Sequence, residues 1–75
     1  MPKLPSVSGE RVIRALKRVG FVELRHKGSH VSLEKRTGDK VFKTVVPIHN
    51  ELAKGTLSDI LKQCGLTLDE FLEHL

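Results

Sequence analysis

The chain has no tryptophan, no tyrosine and only three phenylalanines among its 75 residues. That scarcity argues against an aromatic-rich platform on which single strands of nucleic acid stack. A single cysteine, Cys64, rules out an intrachain disulfide and suits a reducing cytosol. No apolar run approaches the ~18 residues of a membrane span, and no signal-peptide core is present. The sequence therefore predicts a soluble, cytoplasmic protein with no membrane partner. Also missing are a Cys-x-x-Cys pair, an acidic cluster, a phosphate-binding loop, a general-acid carboxylate pair and a Ser-His-Asp order. No metal and no cofactor is predicted.

What the chain does have is positive charge. Thirteen Lys and Arg against nine Asp and Glu give a formal +4. The cations cluster in residues 11–43, while the tail after Ser58 is net acidic. A small basic domain with that asymmetry favours a polyanionic partner, of which nucleic acid is the commonest. The length allows one domain, residues 1–75, and a chain this short buries only about 60–65% of its unfolded surface.

Punctuation divides the chain cleanly. Met1 to Val7, with Pro2 and Pro5, reads as an extended arm. Ser8 is an N-cap, with Val7 and Val12 placed for a hydrophobic staple. Val12, Ile13, Leu16 and Val19 form a helical stripe that Gly20 closes. Phe21 to Lys27 and His30 to Lys35 read as two strands, and Val41 to Val46 as a third ended by Pro47. For the third strand two registers stand open: Val41 and Val45 inward, or Phe42, Thr44 and Val46 inward. Thr56 is expected to cap a short helix stopped by Gly65, with Asp59 as its capping-box partner. Thr67 and Glu70 make a fuller box for a last helix, stapled by Leu66 and Phe71. The order α-β-β-β-α-α predicts an α+β fold, a three-stranded antiparallel sheet with helices on one face.

Gly28-Ser29 suits a two-residue type II′ turn and sets Lys27 opposite His30. The same register pairs Arg25 with Ser32 and Leu24 with Leu33, so Val22, Leu24, Val31 and Leu33 would sit on the core. It also sets Glu23 opposite Glu34, an unfavourable pair that a bulge could relieve. Arg25, Lys27 and His30 are left on the solvent face. An imidazole beside two cations can accept a proton at neutral pH and act on a phosphodiester. It can equally be an exposed strand histidine of no consequence. His26 should point to the opposite face from His30. His49 is placed to assist His30, to contact phosphate, or to cap a strand end through a backbone carbonyl.

Several segments together resemble the HicA toxins, small mRNA interferases of toxin–antitoxin systems. They are Ser8-Gly9, Gly20-Phe21, Lys27-Gly28-Ser29-His30, Val46-Pro47-Ile48-His49 and Gly55-Thr56-Leu57 leading into Ile60-Leu61. The resemblance implies a double-stranded-RNA-binding-domain-like fold and a ribonuclease centred on the motif histidine, His30. It also implies a HicB-like antitoxin that binds and blocks the toxin. Many members follow the motif histidine with a polar residue, where this chain has Val31. The reading that results is a metal-independent endoribonuclease cutting mRNA, with His30 as general base. Arg25, Lys27, Gly28, Ser29, Lys35 and His49 are its RNA-binding candidates, with Lys43 as an extension of unsettled facing. The competing classes are a non-catalytic RNA-binding module and a subunit whose basic face meets an acidic protein.

Overall fold

The computed structural model describes residues 3–75, so Met1 and Pro2 of the expected arm lie outside the described residues. Six elements follow in order: α1 (Gly9–Arg18), β1 (Val22–Lys27), β2 (His30–Thr37), β3 (Lys40–Pro47), α2 (Lys54–Cys64) and α3 (Leu68–Glu73). The strands form one antiparallel sheet in the order β1-β2-β3, and α1 and α2 pack on β3. This is the predicted α+β layout, with helices on one side and the other side uncovered.

Local chemistry explains α1 and α3. The Arg11 amide donates to Ser8 Oγ at 3.2 Å, and both staple valines, Val7 and Val12, are buried. Lys17 and Arg18 occupy the last turn, where they complement the helix dipole. Thr67 and Glu70 form the reciprocal capping box, and Phe71 is fully buried. The Arg18 guanidinium donates to the carbonyls of His74 and Leu75 at 2.7 and 3.3 Å, which ties the end of α1 to the C-terminal turn.

α2 departs from its expected start. It begins at Lys54 with Ala53 as N-cap and no side-chain cap, so Thr56 and Asp59 lie inside the helix and form no capping box. Contacts distant in sequence set this boundary. The Lys54 ammonium donates to Leu4 O at 2.9 Å and to Ser6 Oγ at 3.1 Å, while the Leu52 amide donates to Val7 O at 2.9 Å. With Leu52 buried, the arm and the segment before α2 brace one another.

The sheet corrects the hairpin register at one point. Lys27 faces His30 and Arg25 faces Ser32 as predicted, but Glu23 pairs with Leu33 and Val22 with Glu34, and the register shifts between Glu23 and Arg25. Leu24 is thus bulged and has no partner on β2. Val22 and Leu24 are 62% and 55% exposed, so only Val31 and Leu33 of the expected apolar face reach the core. The physical reason is the acidic pair of the straight register. With the bulge, the Glu23 carboxylate turns to the helix side, 3.9 Å from Lys17 Nζ. Glu34 stays on the open side, 3.2 Å from Arg36 Nε and 3.8 Å from Lys43 Nζ.

β3 takes the second of its two open registers. Thr44 and Val46 are buried and Phe42 packs against the core, while Val41 and Val45 stand about half exposed. The buried Thr44 hydroxyl is satisfied, since its Oγ1 donates to Gln63 Oε1 at 2.7 Å. The core gathers α1, α2 and Phe71 over Val31, Leu33 and Val46 of the sheet.

Candidate functional site

Three separate segments meet at the tip of the β1–β2 hairpin. Gly28 has φ 60° and Ser29 keeps a negative φ, which is the pattern of a type II′ turn with glycine first. The turn holds Lys27 and His30 side by side on adjacent strands. β3 reaches the same end: Pro47 pairs with His30, and the Ile48 amide donates to Ser29 O at 2.6 Å. The next carbonyl, of His49, accepts from the Gly9 amide at 2.9 Å. Gly9 is where only a glycine fits. A Cβ there would collide with Pro47 O and meet Ile48 Cα at 3.0 Å. The N-terminus of α1 therefore clamps the end of β3, which in turn braces the turn before His30.

His30 is exposed, and its Nδ1 lies 3.5 Å from Ser29 Oγ. No ion pair joins it to a carboxylate among the described residues. The open face continues from it in rows across the three strands, Lys27–His30–Pro47, then Arg25–Ser32–Val45, then Val22–Glu34–Lys43. The undecided Lys43 falls on this face beside Glu34. Lys35 does not. It alternates with Val31 and Leu33 on the helix side, where its stem runs beside Gly20 at the end of α1. Lys43, rather than Lys35, continues the cations around His30.

His26 also faces the helix side, opposite Val31, as its position predicted. It lines a cleft of about 230 Å³ between β1 and α1 with Glu10, Ile13, Arg14, Glu23 and Ile48. Among the described residues, no three of His, Cys, Asp or Glu gather where a metal ion could be held. Cys64 is buried beneath the sheet, and burial pushes its thiol up to about 11 against a smaller opposing effect of the Thr44 hydroxyl. It stays protonated at neutral pH and is no nucleophile.

Sequence reasoning missed the exposure of Val22 and Leu24, while one of the two registers open for β3 already set Val41 and Val45 outward. Leu24, Val22, Val41 and Val45 all stand about half exposed among the cations. For Val22 and Leu24 the signal available was the Glu23–Glu34 conflict, which a bulge could relieve.

Fold and face together define a small α+β domain with an uncovered cationic sheet and a histidine hairpin. The family model for the HicA toxin of bacterial toxin–antitoxin systems matches residues 9–66, which include the hairpin, β3 and α2. The chain belongs to the HicA toxin family, and membership implies an antitoxin partner. No curated protein matches it. No helix among the described residues is long and apolar enough to cross a membrane.

Proposed function

We propose that this toxin is a metal-independent endoribonuclease that cuts messenger RNA, with His30 as its general base. The observation that carries the reading is the position of His30 on an uncovered sheet face, beside Lys27 and one row of that face from Arg25. The imidazole takes the proton of a ribose 2′-OH, and the 2′-oxygen attacks the adjacent phosphorus in line. The bond from phosphorus to the 5′-oxygen breaks, leaving a 2′,3′-cyclic phosphate and a 5′-OH. Lys27 and Arg25 hold the phosphate oxygens and offset the charge that develops on them. The Gly28-Ser29 turn and His49, at the same end of the sheet, flank the phosphate. Water protonates the leaving oxygen, so turnover is slow.

The partner in this reading is a HicB-like antitoxin that covers the open face. An interface of ordinary size takes about 600–1,000 Å² from each partner. That is a substantial part of the 4930 Å² this chain exposes, and enough to hide His30.

The deciding experiment incubates wild-type and His30→Ala protein with messenger RNA in excess chelator. The wild type should cleave, and the variant should lose about 10²–10⁴-fold in rate. Because His30 is exposed, its truncation leaves no cavity, and fold and RNA affinity should persist. Equal cleavage by both proteins refutes the role of His30. Loss of wild-type cleavage in chelator refutes metal independence, and RNA affinity without cleavage by either protein identifies a binding module instead.

A further inference from the structure

The bulge in β1 does more than separate two carboxylates. It brings Leu24 and Arg25 together against Ser32, so a leucine that a straight strand would bury stands 55% exposed. On the other side of Ser32, its β3 partner Val45 is 48% exposed. A small residue on the central strand between two larger apolar neighbours makes a trough with Ser32 as its floor. A depression of about 430 Å³ is lined by Leu24, Ser32, Lys43 and Val45 of this face together with Leu33, Thr44 and Gln63, whose side chains lie toward the helices. A second depression of about 330 Å³ adjoins it, lined by Leu24, Arg25, Ser32 and Lys43. β-Bulges beside active sites commonly re-aim a side chain, and an apolar patch rimmed by charge marks a binding surface.

Ser32 and His30 lie two residues apart on one strand, on the same face, and so about 6–7 Å from each other. That is within the reach of one nucleotide. The geometry points to a nucleobase subsite: the base of the nucleotide flanking the phosphate at His30 sits over Ser32 between Leu24 and Val45. This inference rests on the reading of His30 as the cleavage centre. The walls are aliphatic because all three phenylalanines, Phe21, Phe42 and Phe71, pack in or against the core. The Ser32 hydroxyl can donate to or accept from a base edge, while Arg25 and Lys43 at the rim meet the neighbouring phosphates. The trough holds a base by its apolar faces, and the cations hold the backbone that carries it.

The test measures binding, so it does not depend on catalysis. A mixed-sequence 2′-O-methyl RNA of seven nucleotides, which lacks the attacking hydroxyl, is titrated intact and with one abasic residue at each position in turn. For the wild type, one abasic position should weaken binding about tenfold, which is what burying the exposed half of a leucine side chain supplies. Leu24→Ala should weaken the intact RNA by a similar factor and become indifferent to the abasic residue at that position. Val45→Ala, a second exposed site, should do the same. A flat abasic scan of the wild type overturns the subsite. Equal losses by Leu24→Ala on intact and abasic RNA also overturn it, as does a Leu24→Ala variant that loses only antitoxin affinity, which would assign the patch to the protein partner. Cleavage dependent on His30 together with a flat scan sinks the subsite alone. A preserved abasic pattern without cleavage sinks the nuclease reading alone.

Discussion

Replacing Gly9 with alanine tests the clamp that joins α1 to the hairpin tip. The added Cβ would collide with Pro47 O and meet Ile48 Cα at 3.0 Å, both of them backbone atoms that cannot rotate away. Relief requires the end of β3 and the start of α1 to separate, which breaks the 2.9 Å bond from the Gly9 amide to His49 O. Overpacking of this kind costs about 1–3 kcal/mol, and a buried polar group left unpaired costs a further ~1–3 kcal/mol. The expected loss is roughly 2–6 kcal/mol, against a total stability on the order of 4–11 kcal/mol for a chain of this length. In a small domain each kcal/mol moves the melting temperature by about 4–8 °C, so Gly9→Ala should melt at least about 8 °C below the wild type. Gly55→Ala is the control. A Cβ at Gly55 meets nothing within 4 Å, and the position lies in the first turn of α2. It should be neutral or gain up to about 1 kcal/mol from helix propensity. Circular dichroism melts of the three proteins decide the matter. A Gly9→Ala variant that melts within about 2 °C of the wild type would refute the clamp.

Arg25→Ala and Lys27→Ala should each weaken RNA binding across sequences and reduce the salt slope by about 0.7 per lost phosphate contact. Affinities across a salt series that neither variant changes would place the RNA path elsewhere. Hydrogen exchange on the toxin–antitoxin complex should show residues 25–34 protected, and free exchange there with protection only on the helices would reject masking of the open face. In α3, hydrogen bonds from the backbone and side chain of Thr67 hold the Glu70 carboxyl below its ordinary value. A carboxylate lowered in the folded state stabilises fully above the ordinary carboxylate range, and that contribution fades as pH falls through the lowered value. Glu70→Gln should therefore flatten the acid side of the stability curve, and an unchanged curve in urea melts between pH 2 and 6 would remove Glu70 from the acid response.

How much of this molecule was legible in its sequence depended on whether the deciding contact was near or far along the chain. Ser8, Val7 and Val12 set the start of α1 within a few residues, and Thr67, Glu70 and Phe71 did the same for α3. Gly28-Ser29 set a turn that has only one fitting geometry, which placed Lys27 beside His30 and Arg25 beside Ser32. Those interactions are local, so the residues that make them can be read in order. The charge conflict between Glu23 and Glu34 was legible too, but its remedy was not, because a bulge can open at more than one residue. Its place at Leu24 put an apolar side chain and a cation together on the open face. The facing of β3 was undecided because Val41, Phe42, Val45 and Val46 offer apolar residues to both sides. Packing of α2 on β3 and the bond from Thr44 to Gln63 selected the inward set. Capping chemistry favoured Thr56 as the start of α2, yet the arm held by Lys54 moved it to Lys54. The sequence by itself determined the order of elements, the helix caps and the histidine turn, because short-range hydrogen bonds and steric rules decide them. Tertiary structure alone decided the bulge, the facing of Lys35 and Lys43, and the meeting of Gly9 with His49, because each requires segments far apart in the chain to occupy the same few ångströms.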